Sequence, residues 1–230
     1  MLEEICNRLY ATLYTTRQEA GSRLYSYVYA SDVSKCIKQQ YYKMTDTETD
    51  EAHSDNISSF VFDAGNAFEA FMTNRMILAK IYDGKRRVAH PELLISGETD
   101  PVIIFEGKKI ITEIKATHRK HYVTIINNYK SGNYPDTYYN QLQVYLHLYP
   151  EADFGVLIIC NRDVNYNDNV PPFIILPVER DENWKKLNWE RLLSLKEALK
   201  NGTPPDREYD QNDWQCKVCP YTDRCWSTDD

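Results

Sequence analysis

A chain of 230 residues suits one domain, and its 42% apolar and 27% charged residues are typical of globular proteins. No apolar run approaches the roughly 20 residues that span a bilayer, and the start, MLEEICNRLY, lacks the apolar segment of a secretory signal. We therefore expect an intracellular, cytoplasmic protein without membrane contact, whose six cysteines stay reduced. The net charge of −7 disfavours a simple non-specific nucleic-acid binder, although charge around a cleft matters more for a polyanionic substrate.

The spacing of apolar residues predicts helices and strands in succession along the chain. The predicted helices cover residues 1–44, with a break near Ala20, then residues 57–82, 137–149 and 181–200. The predicted strands cover residues 86–96, a hairpin over 102–116 that turns at Glu106-Gly107-Lys108-Lys109, and residues 155–160 and 171–178. This order predicts an α/β fold in which a mixed central sheet is flanked by helices.

We expect the whole chain, residues 1–230, to form a single domain with two additions. Residues 1–56 would be a helical N-terminal region that ends in an acidic loop, and residues 57–200 would be the core. Residues 201–230 would be an irregular tail that carries cysteines.

Three residues of the predicted hairpin form the most informative pattern in the sequence. Asp100 opens its first strand, while Glu113 and Lys115 lie on one face of its second strand because side chains alternate. Two carboxylates from adjacent strands suit Mg²⁺ or Mn²⁺, which can polarise a phosphoryl oxygen and activate water. A neighbouring lysine can orient or deprotonate that water, although Glu-x-Lys on a strand is also common as a solvent-facing ion pair.

Two helical pairs could complete such a site. Gly65 and Glu69 are one turn apart, on the side of their helix opposite an apolar face made by Phe68, Phe71, Met72 and Met76. A glycine within a helix costs roughly 1 kcal/mol relative to alanine, so we expect a backbone or a substrate to approach closely at Gly65. Glu69 could be a further metal ligand or simply an exposed side chain. Gln141 and Tyr145 share a helix face and could bond phosphate oxygens or each other.

A cysteine motif near the end of the chain predicts a second metal centre. Cys216, Cys219 and Cys225 form C-x₂-C-x₅-C, a soft thiolate set that selects zinc or an iron–sulfur cluster. Either centre needs a fourth ligand, and the candidates are Cys6, Cys36, Cys160 and a histidine. Burial is the simpler interpretation for two of them, since Cys160 ends an apolar strand and Cys6 lies in an amphipathic helix.

The order of these motifs resembles that of the RecB-like branch of the PD-(D/E)XK nucleases. The matching motifs are Gly65-x-x-x-Glu69, Gly97-x-x-Asp100, Glu113-x-Lys115 and Gln141-x-x-x-Tyr145. The resemblance covers most of residues 57–150 and implies a restriction-endonuclease-like core. It further implies that Asp100, Glu113 and the backbone carbonyl of Ile114 bind Mg²⁺ or Mn²⁺, and that Lys115 acts on the attacking water.

The resemblance also implies DNA contacts near this centre, made by Gln141 and Tyr145. Arg119, in a basic group between Lys108 and His121, is a further candidate DNA contact. Two departures from the family pattern concern the metal centre. Glu69 stands where the branch usually has histidine, which leaves activity plausible and the metal preference open, and Thr99 precedes Asp100 where the superfamily name has proline.

The segment around Cys36 resembles the one that carries the first cluster cysteine in CRISPR-associated RecB-like exonucleases. One N-terminal cysteine and a C-terminal trio is the arrangement of that family around a 4Fe–4S cluster. The resemblance therefore assigns Cys36, Cys216, Cys219 and Cys225 to such a cluster. Its expected role is structural, because closing so long a loop removes much of the entropy of the unfolded chain.

These features together predict a metal-dependent DNA exonuclease that acts on single strands or ends. The process could be CRISPR adaptation or phage or viral recombination and replication, with an integrase, helicase or recombination partner. The alternative is a non-catalytic or partner-dependent DNA-end-binding subunit on the same fold. A third interpretation is a zinc-containing interaction module whose acids are ordinary surface residues.

Overall fold

The computed structural model describes residues 26–45, 47, 56–164 and 169–227, with side chains from residue 60 onward in the third range. The helices there are α1 (Ile37–Met44), α2 (Asn56–Leu78), α3 (Arg119–Lys130), α4 (Asp136–Leu148), α5 (Glu182–Asn201), α6 (Trp214–Lys217) and α7 (Thr222–Trp226). The strands are β1 (Val28–Tyr29), β2 (Arg87–His90), β3 (Ile95–Glu98), β4 (Val102–Phe105), β5 (Lys108–Thr117), β6 (Phe154–Asn161) and β7 (Phe173–Val178). The predictions for residues 1–25, including Cys6, and for most of the acidic loop lie outside the described residues.

The central sheet has the mixed character that the sequence predicts. Its strand order is β4-β5-β6-β7, with an antiparallel pair at each edge and the parallel pair β5/β6 in the middle. The hairpin β4/β5 turns at Glu106 and Gly107, which both have positive φ values (50° and 79°), as a tight two-residue hairpin turn requires. The mixed α/β fold with flanking helices is therefore confirmed.

Side-chain alternation along β5 separates two apolar layers. Ile111 joins the main core, which the sheet forms with α3, α4 and α5. Ile110 and Ile114 face the other way and join a smaller layer, in which Met72 and Met76 of α2 cover the sheet. The prediction that Ile114 points into a core is confirmed.

The structure differs from the expectations for α2 at three points. Phe71 is 53% exposed, because the buried stripe of the helix narrows to Met72 and Met76, with Phe68 packed at its margin. A Cβ added to Gly65 would meet nothing within 4 Å, so among the described residues no backbone approaches this glycine closely, and the approach of a substrate there stays a prediction. The helix also ends at Leu78, four residues before the predicted end at 82.

Other differences from the prediction arise from contacts between distant segments. The segment predicted as helix before residue 44 includes β1, whose two residues pair in parallel with Ile95 and Ser96 of β3. The predicted extended segment 86–96 is broken by a 3₁₀ turn at Pro91–Leu93 and a left-handed Leu94. Helix α3 was not predicted, and the tail contains α6 and α7. Within the described residues, no helix combines the length and apolarity needed to cross a membrane.

Candidate active site and cysteine cavity

The hairpin brings Asp100 against β5 through two direct hydrogen bonds. The backbone N–H of Ile114 donates to Asp100 Oδ2 at 2.6 Å, and the hydroxyl of Thr112 donates to the carbonyl of Pro101 at 2.6 Å. Because the N–H and C=O of one strand residue point to the same side, the carbonyl of Ile114 also faces Asp100 and not β6. The ladder of β4 with β5 ends at the pair of Val102 and Ile111. Beyond that pair, the Asp100 carboxylate accepts a backbone hydrogen bond of β5 in place of a strand carbonyl.

Glu113 and Lys115 share the opposite face from Ile114, as predicted. Glu113 is 1% exposed, and Lys115 Nζ lies 2.6 Å from its Oε1 atom. Among the described residues, no donor lies at hydrogen-bonding angles to either carboxylate oxygen of Glu113. The short distance between Lys115 Nζ and Glu113 Oε1 nevertheless makes this contact an ion pair. A buried carboxylate with an unpartnered oxygen is a ready ligand for a hard cation.

The two carboxyl groups are held in an environment that disfavours their charge. Burial, with the nearby charge of Glu69 as a second cause, raises the pKa of Asp100 to about 6. Burial also raises the pKa of Glu113 above its usual range, against the opposing effect of Lys115. Since burial penalises the charged form, a bound cation would supply compensating charge in addition to that of Lys115.

Glu69 approaches the same site from α2. Its charge contributes to the raised pKa of both Asp100 and Glu113, so it acts electrostatically on these two carboxyls. Its own partner is Lys85, whose Nζ atom lies 2.5 Å from Glu69 Oε1. Lys85 was not found by the sequence analysis, because it belongs to no motif and only opens the basic run Lys85-Arg86-Arg87.

The residues present fit a hard divalent cation with few protein ligands. Among the described residues, no three His, Cys, Asp or Glu side chains already converge into a metal-ligating group. Asp100 and Glu113 are nevertheless adjacent carboxylates, and Mg²⁺ is usually bound by one or two carboxylates together with water and substrate phosphate. These two residues and the Ile114 carbonyl are the groups that would hold it.

Gln141 and Tyr145 lie on α4, and both are buried. The amide of Gln141 donates to the hydroxyl of Tyr145 at 3.2 Å, and that hydroxyl donates to the carbonyl of Glu98 at 2.9 Å. A Cβ added to Gly97 would lie 2.9 Å from the Tyr145 ring, so only glycine permits this approach. The pair thus positions the segment that leads into Asp100, while its contact with DNA stays a prediction.

The basic group of the sequence does not form one patch. Lys108 and Lys109 lie at the start of β5 and His118 to His121 follow its end, and ten strand residues extend about 30 Å. Arg119 begins α3, where its backbone N–H donates to Asp163 at 2.8 Å. Lys115 is the member of this group that lies at the carboxylates.

Four cysteines, one of them distant in sequence from the other three, line one cavity, which we call the cysteine cavity. Its cysteines are Cys36, Cys216, Cys219 and Cys225. All of them are free thiols, and each interacts electrostatically with others of the set. Cys160 lies elsewhere, in the apolar layer under α2, where burial raises its pKa to about 11.

Contacts outside the cysteines already hold the two sides of this cavity together. Arg191 of α5 bonds both carboxylate oxygens of Glu208 at 2.6 and 2.8 Å, and it donates to the carbonyls of Val33 and Lys35, each at 2.9 Å. Glu208 in turn accepts from the backbone N–H of Ile37 at 2.7 Å. The tail is therefore anchored to the segment of Cys36 by a charged hydrogen-bond network.

Known structures share this fold. An alkaline exonuclease (LHK-Exo) from Laribacter hongkongensis superposes with a TM-score of 0.54 at 16% identity, over 78% of this chain and 90% of that one. SSO0001 superposes with a TM-score of 0.56 at 15% identity over 96% of both chains. A phage related exonuclease from Haemophilus somnus 129PT gives 0.52 at 14% identity, over 76% and 94%. No family model and no curated protein matches the sequence.

Proposed function

We propose that this protein is a metal-dependent DNA exonuclease of the RecB-like PD-(D/E)XK type. The observation that carries the proposal is the convergence of Asp100, Glu113 and Lys115 at one hairpin, with Glu113 buried and Asp100 half-buried. The sharing of the fold with two structures described as exonucleases supports hydrolysis of nucleic acid from an end. One of those exonucleases has also been solved in complex with dAMP.

The roles of the residues follow from their positions. Asp100, Glu113 and the Ile114 carbonyl would hold Mg²⁺ or Mn²⁺, which supplies Lewis-acid polarisation of the phosphoryl oxygen and lowers the pKa of a water molecule. Lys115 lies beside Glu113, where its ammonium can orient the attacking water and stabilise negative charge on the phosphate. Glu69 would bind the cation directly or through water.

A nuclease assay on anaerobically purified protein tests this proposal. End-labelled single-stranded DNA, duplex DNA and a closed circle are offered with Mg²⁺ or Mn²⁺ to the wild type and to Lys115→Ala. The matched control is Lys109→Ala, which removes a lysine of the same strand whose partner, Glu151, lies outside the site. We expect the wild type and the control to degrade linear single strands, and Lys115→Ala to leave them intact.

The other outcomes of the assay are informative. A cut circle would make the protein an endonuclease. DNA binding without cleavage of any substrate would favour the alternative, a non-catalytic end-binding subunit. The process in which the protein would act is CRISPR adaptation or phage or viral recombination and replication, with an integrase, helicase or recombination partner.

We further propose that the cysteine cavity holds a 4Fe–4S cluster with a structural role. Four thiols that line one cavity form a donor set that selects iron–sulfur or zinc. The cavity is also lined by aromatic rings, among them Tyr42 and Tyr221, whose centroids are 5.5 Å apart. A bound cluster would crosslink α1 to the tail in addition to the Arg191 network.

Metal analysis of anaerobically purified protein tests this second proposal. We expect iron and acid-labile sulfide in the wild type and their loss in Cys36→Ser. Cys6→Ser and Cys160→Ala are the matched controls, and both should retain the cluster because neither cysteine is assigned to it. Stoichiometric zinc in colourless protein would show that the cavity holds zinc and not an iron–sulfur cluster. Loss of iron in Cys6→Ser would show that Cys6 is the fourth ligand.

A further inference from the structure

We propose that the groove between α2 and residues 83–86 binds the sugar–phosphate backbone of the DNA strand next to the scissile bond, with Lys85 as its phosphate-binding residue. The inference rests on the proposed nuclease function and extends it to Lys85, a residue that belongs to none of the sequence motifs. The groove borders the carboxylates through Glu69, which contacts Lys85 and also lines the groove.

Backbone hydrogen bonds fix the position of Lys85 beside Asp100. Asp83 donates to the carbonyl of Val102 at 2.8 Å, and Val102 donates to the carbonyl of Gly84 at 2.7 Å. Thr99 and Arg86 exchange two further bonds of 2.9 Å, one of them through the Thr99 hydroxyl. Residues 83–86 therefore run along the segment that carries Asp100, and Lys85 is placed there by the backbone before any ligand binds. The superfamily name has proline at the position of Thr99, and proline has no hydroxyl that could make this bond.

The groove combines polar and apolar side chains. Its volume is about 450 Å³, within the range of small-ligand sites. Besides Glu69, its lining on α2 lies at helical spacing on one side of the helix and comprises Asn66, Ala70, Thr73, Asn74 and Ile77. The amides and the hydroxyl can donate to phosphate or sugar oxygens, and Ala70 leaves room for a strand to approach.

Charge completes the argument for a phosphate. Lys85 and Lys115 are the two cations that act on Asp100, and they pair with Glu69 and Glu113 respectively. Lys115 is paired with the buried Glu113 and has the proposed role at the attacking water, so Lys85 is the second ammonium available for phosphate charge. The side chain of Lys85 is 39% exposed, so its ammonium can turn from Glu69 toward a strand in the groove.

Binding measurements test the inference apart from cleavage. The affinity for a fluorescent single-stranded oligonucleotide is measured by anisotropy at several salt concentrations, with Ca²⁺ in place of Mg²⁺. We expect Lys85→Ala to weaken binding about tenfold and to lower the slope of log K against log salt by about 0.7, the value for one phosphate contact on a single strand. Lys85→Arg should restore both quantities. Lys196→Ala, the matched control, removes a lysine of similar exposure whose partner is Glu92 on the surface, and it should change neither.

A second variant keeps the test decisive if Lys85→Ala fails to fold. Ala70→Trp fills the groove from an exposed helix position and should weaken binding without changing the salt slope, whereas Ala67→Trp, at an exposed position outside the groove lining, should not. Wild-type protein that binds and cleaves DNA while Lys85→Ala and Ala70→Trp bind equally well would overturn this inference alone. Wild-type protein that neither binds nor cleaves DNA would overturn the proposed function and this inference with it.

Discussion

The carboxylate site and the cysteine cavity are built in opposite ways. Asp100 and Glu113 come from one hairpin and are positioned by its hydrogen bonds, so their geometry exists without a cation. Cys36 and the C-terminal trio come from opposite ends of the described chain and meet through tertiary contacts. The comparison predicts that the protein stays folded when the carboxylate site loses its cation. Loss of the ligand of the cysteine cavity should instead destabilise the protein.

The largest expected effect is on the cysteine cavity. Cys219→Ser should give colourless, poorly soluble protein that is less stable by about 5 kcal/mol or more, because ligand binding at such centres contributes directly to folding. Soluble yield and denaturant unfolding measure this effect, with Cys160→Ala as the control. A brown Cys219→Ser protein of unchanged stability would contradict the assignment.

At the carboxylate site, the substitution of a candidate ligand residue should lower the activity and leave the fold intact. Glu113→Gln should lower the cleavage rate about a thousandfold or more, since it removes a cation ligand and the partner of Lys115. Stability in EDTA should not fall by more than about 1 kcal/mol, because burial already disfavours the charged carboxylate there. Single-turnover cleavage and calorimetry in EDTA separate these two effects. If Glu113→Gln were unfolded, the carboxylate site would also be needed for stability, and the predicted difference between the two sites would be wrong.

The network around Arg191 should show how far the cysteine cavity is organised without its ligand. Arg191→Met leaves Glu208 and two backbone carbonyls without their donor, which should cost about 2–4 kcal/mol. It should also lower the iron content. Lys196→Met, which breaks the exposed pair with Glu92, should leave unfolding unchanged. Full iron content and unchanged stability in Arg191→Met would show that the cysteines alone close the cavity.

The pH dependence of cation binding should report the burial of the carboxyls. The pKa of Asp100 is raised to about 6, so protons compete with the cation below that pH, and affinity should rise about tenfold per unit up to it. The raised pKa of Glu113 extends this rise toward neutral pH. Because a raised carboxyl pKa favours the protonated folded state, the metal-free fold should lose stability as the pH increases from about 4 to 6. Titration calorimetry with Mn²⁺ at four pH values measures the affinity, and an affinity independent of pH would contradict the role of Asp100.

The smallest expected effect concerns the support of Asp100 by α4. Tyr145→Phe removes the bond to the Glu98 carbonyl and should cost about 1 kcal/mol. Its cleavage rate should fall while DNA binding persists if the hydroxyl acts only by positioning Glu98. Tyr134→Phe, which removes a similar bond to the carbonyl of Pro177 at the surface, is the control. A tenfold loss of DNA binding in Tyr145→Phe would instead favour the predicted DNA contact.

Local signals in the sequence predicted much of the fold. Alternating apolar residues around Glu106-Gly107 predict the hairpin, and alternation alone places Glu113 and Lys115 on the face opposite Ile114. Helix α5 lies within one residue of the predicted range 181–200, and it is bounded by the N-cap aspartate Asp181 and the left-handed Gly202. These features depend only on neighbouring residues, so tertiary contacts do not alter them.

The parts that the sequence did not reveal depend on contacts between distant segments. Strand β1 has only two residues, and it exists because β3 provides a partner. Lys85 carries no recognisable signal, since its place beside Glu69 results from the pairing of residues 83–86 with the segment around Asp100. The motifs alone determined which carboxylates, lysine and thiols are candidates for chemistry. Only the tertiary structure decided that Glu113 is buried, that a second lysine joins the carboxylate site and that Cys36 meets the C-terminal thiols, because burial and long-range proximity are properties of the packed chain.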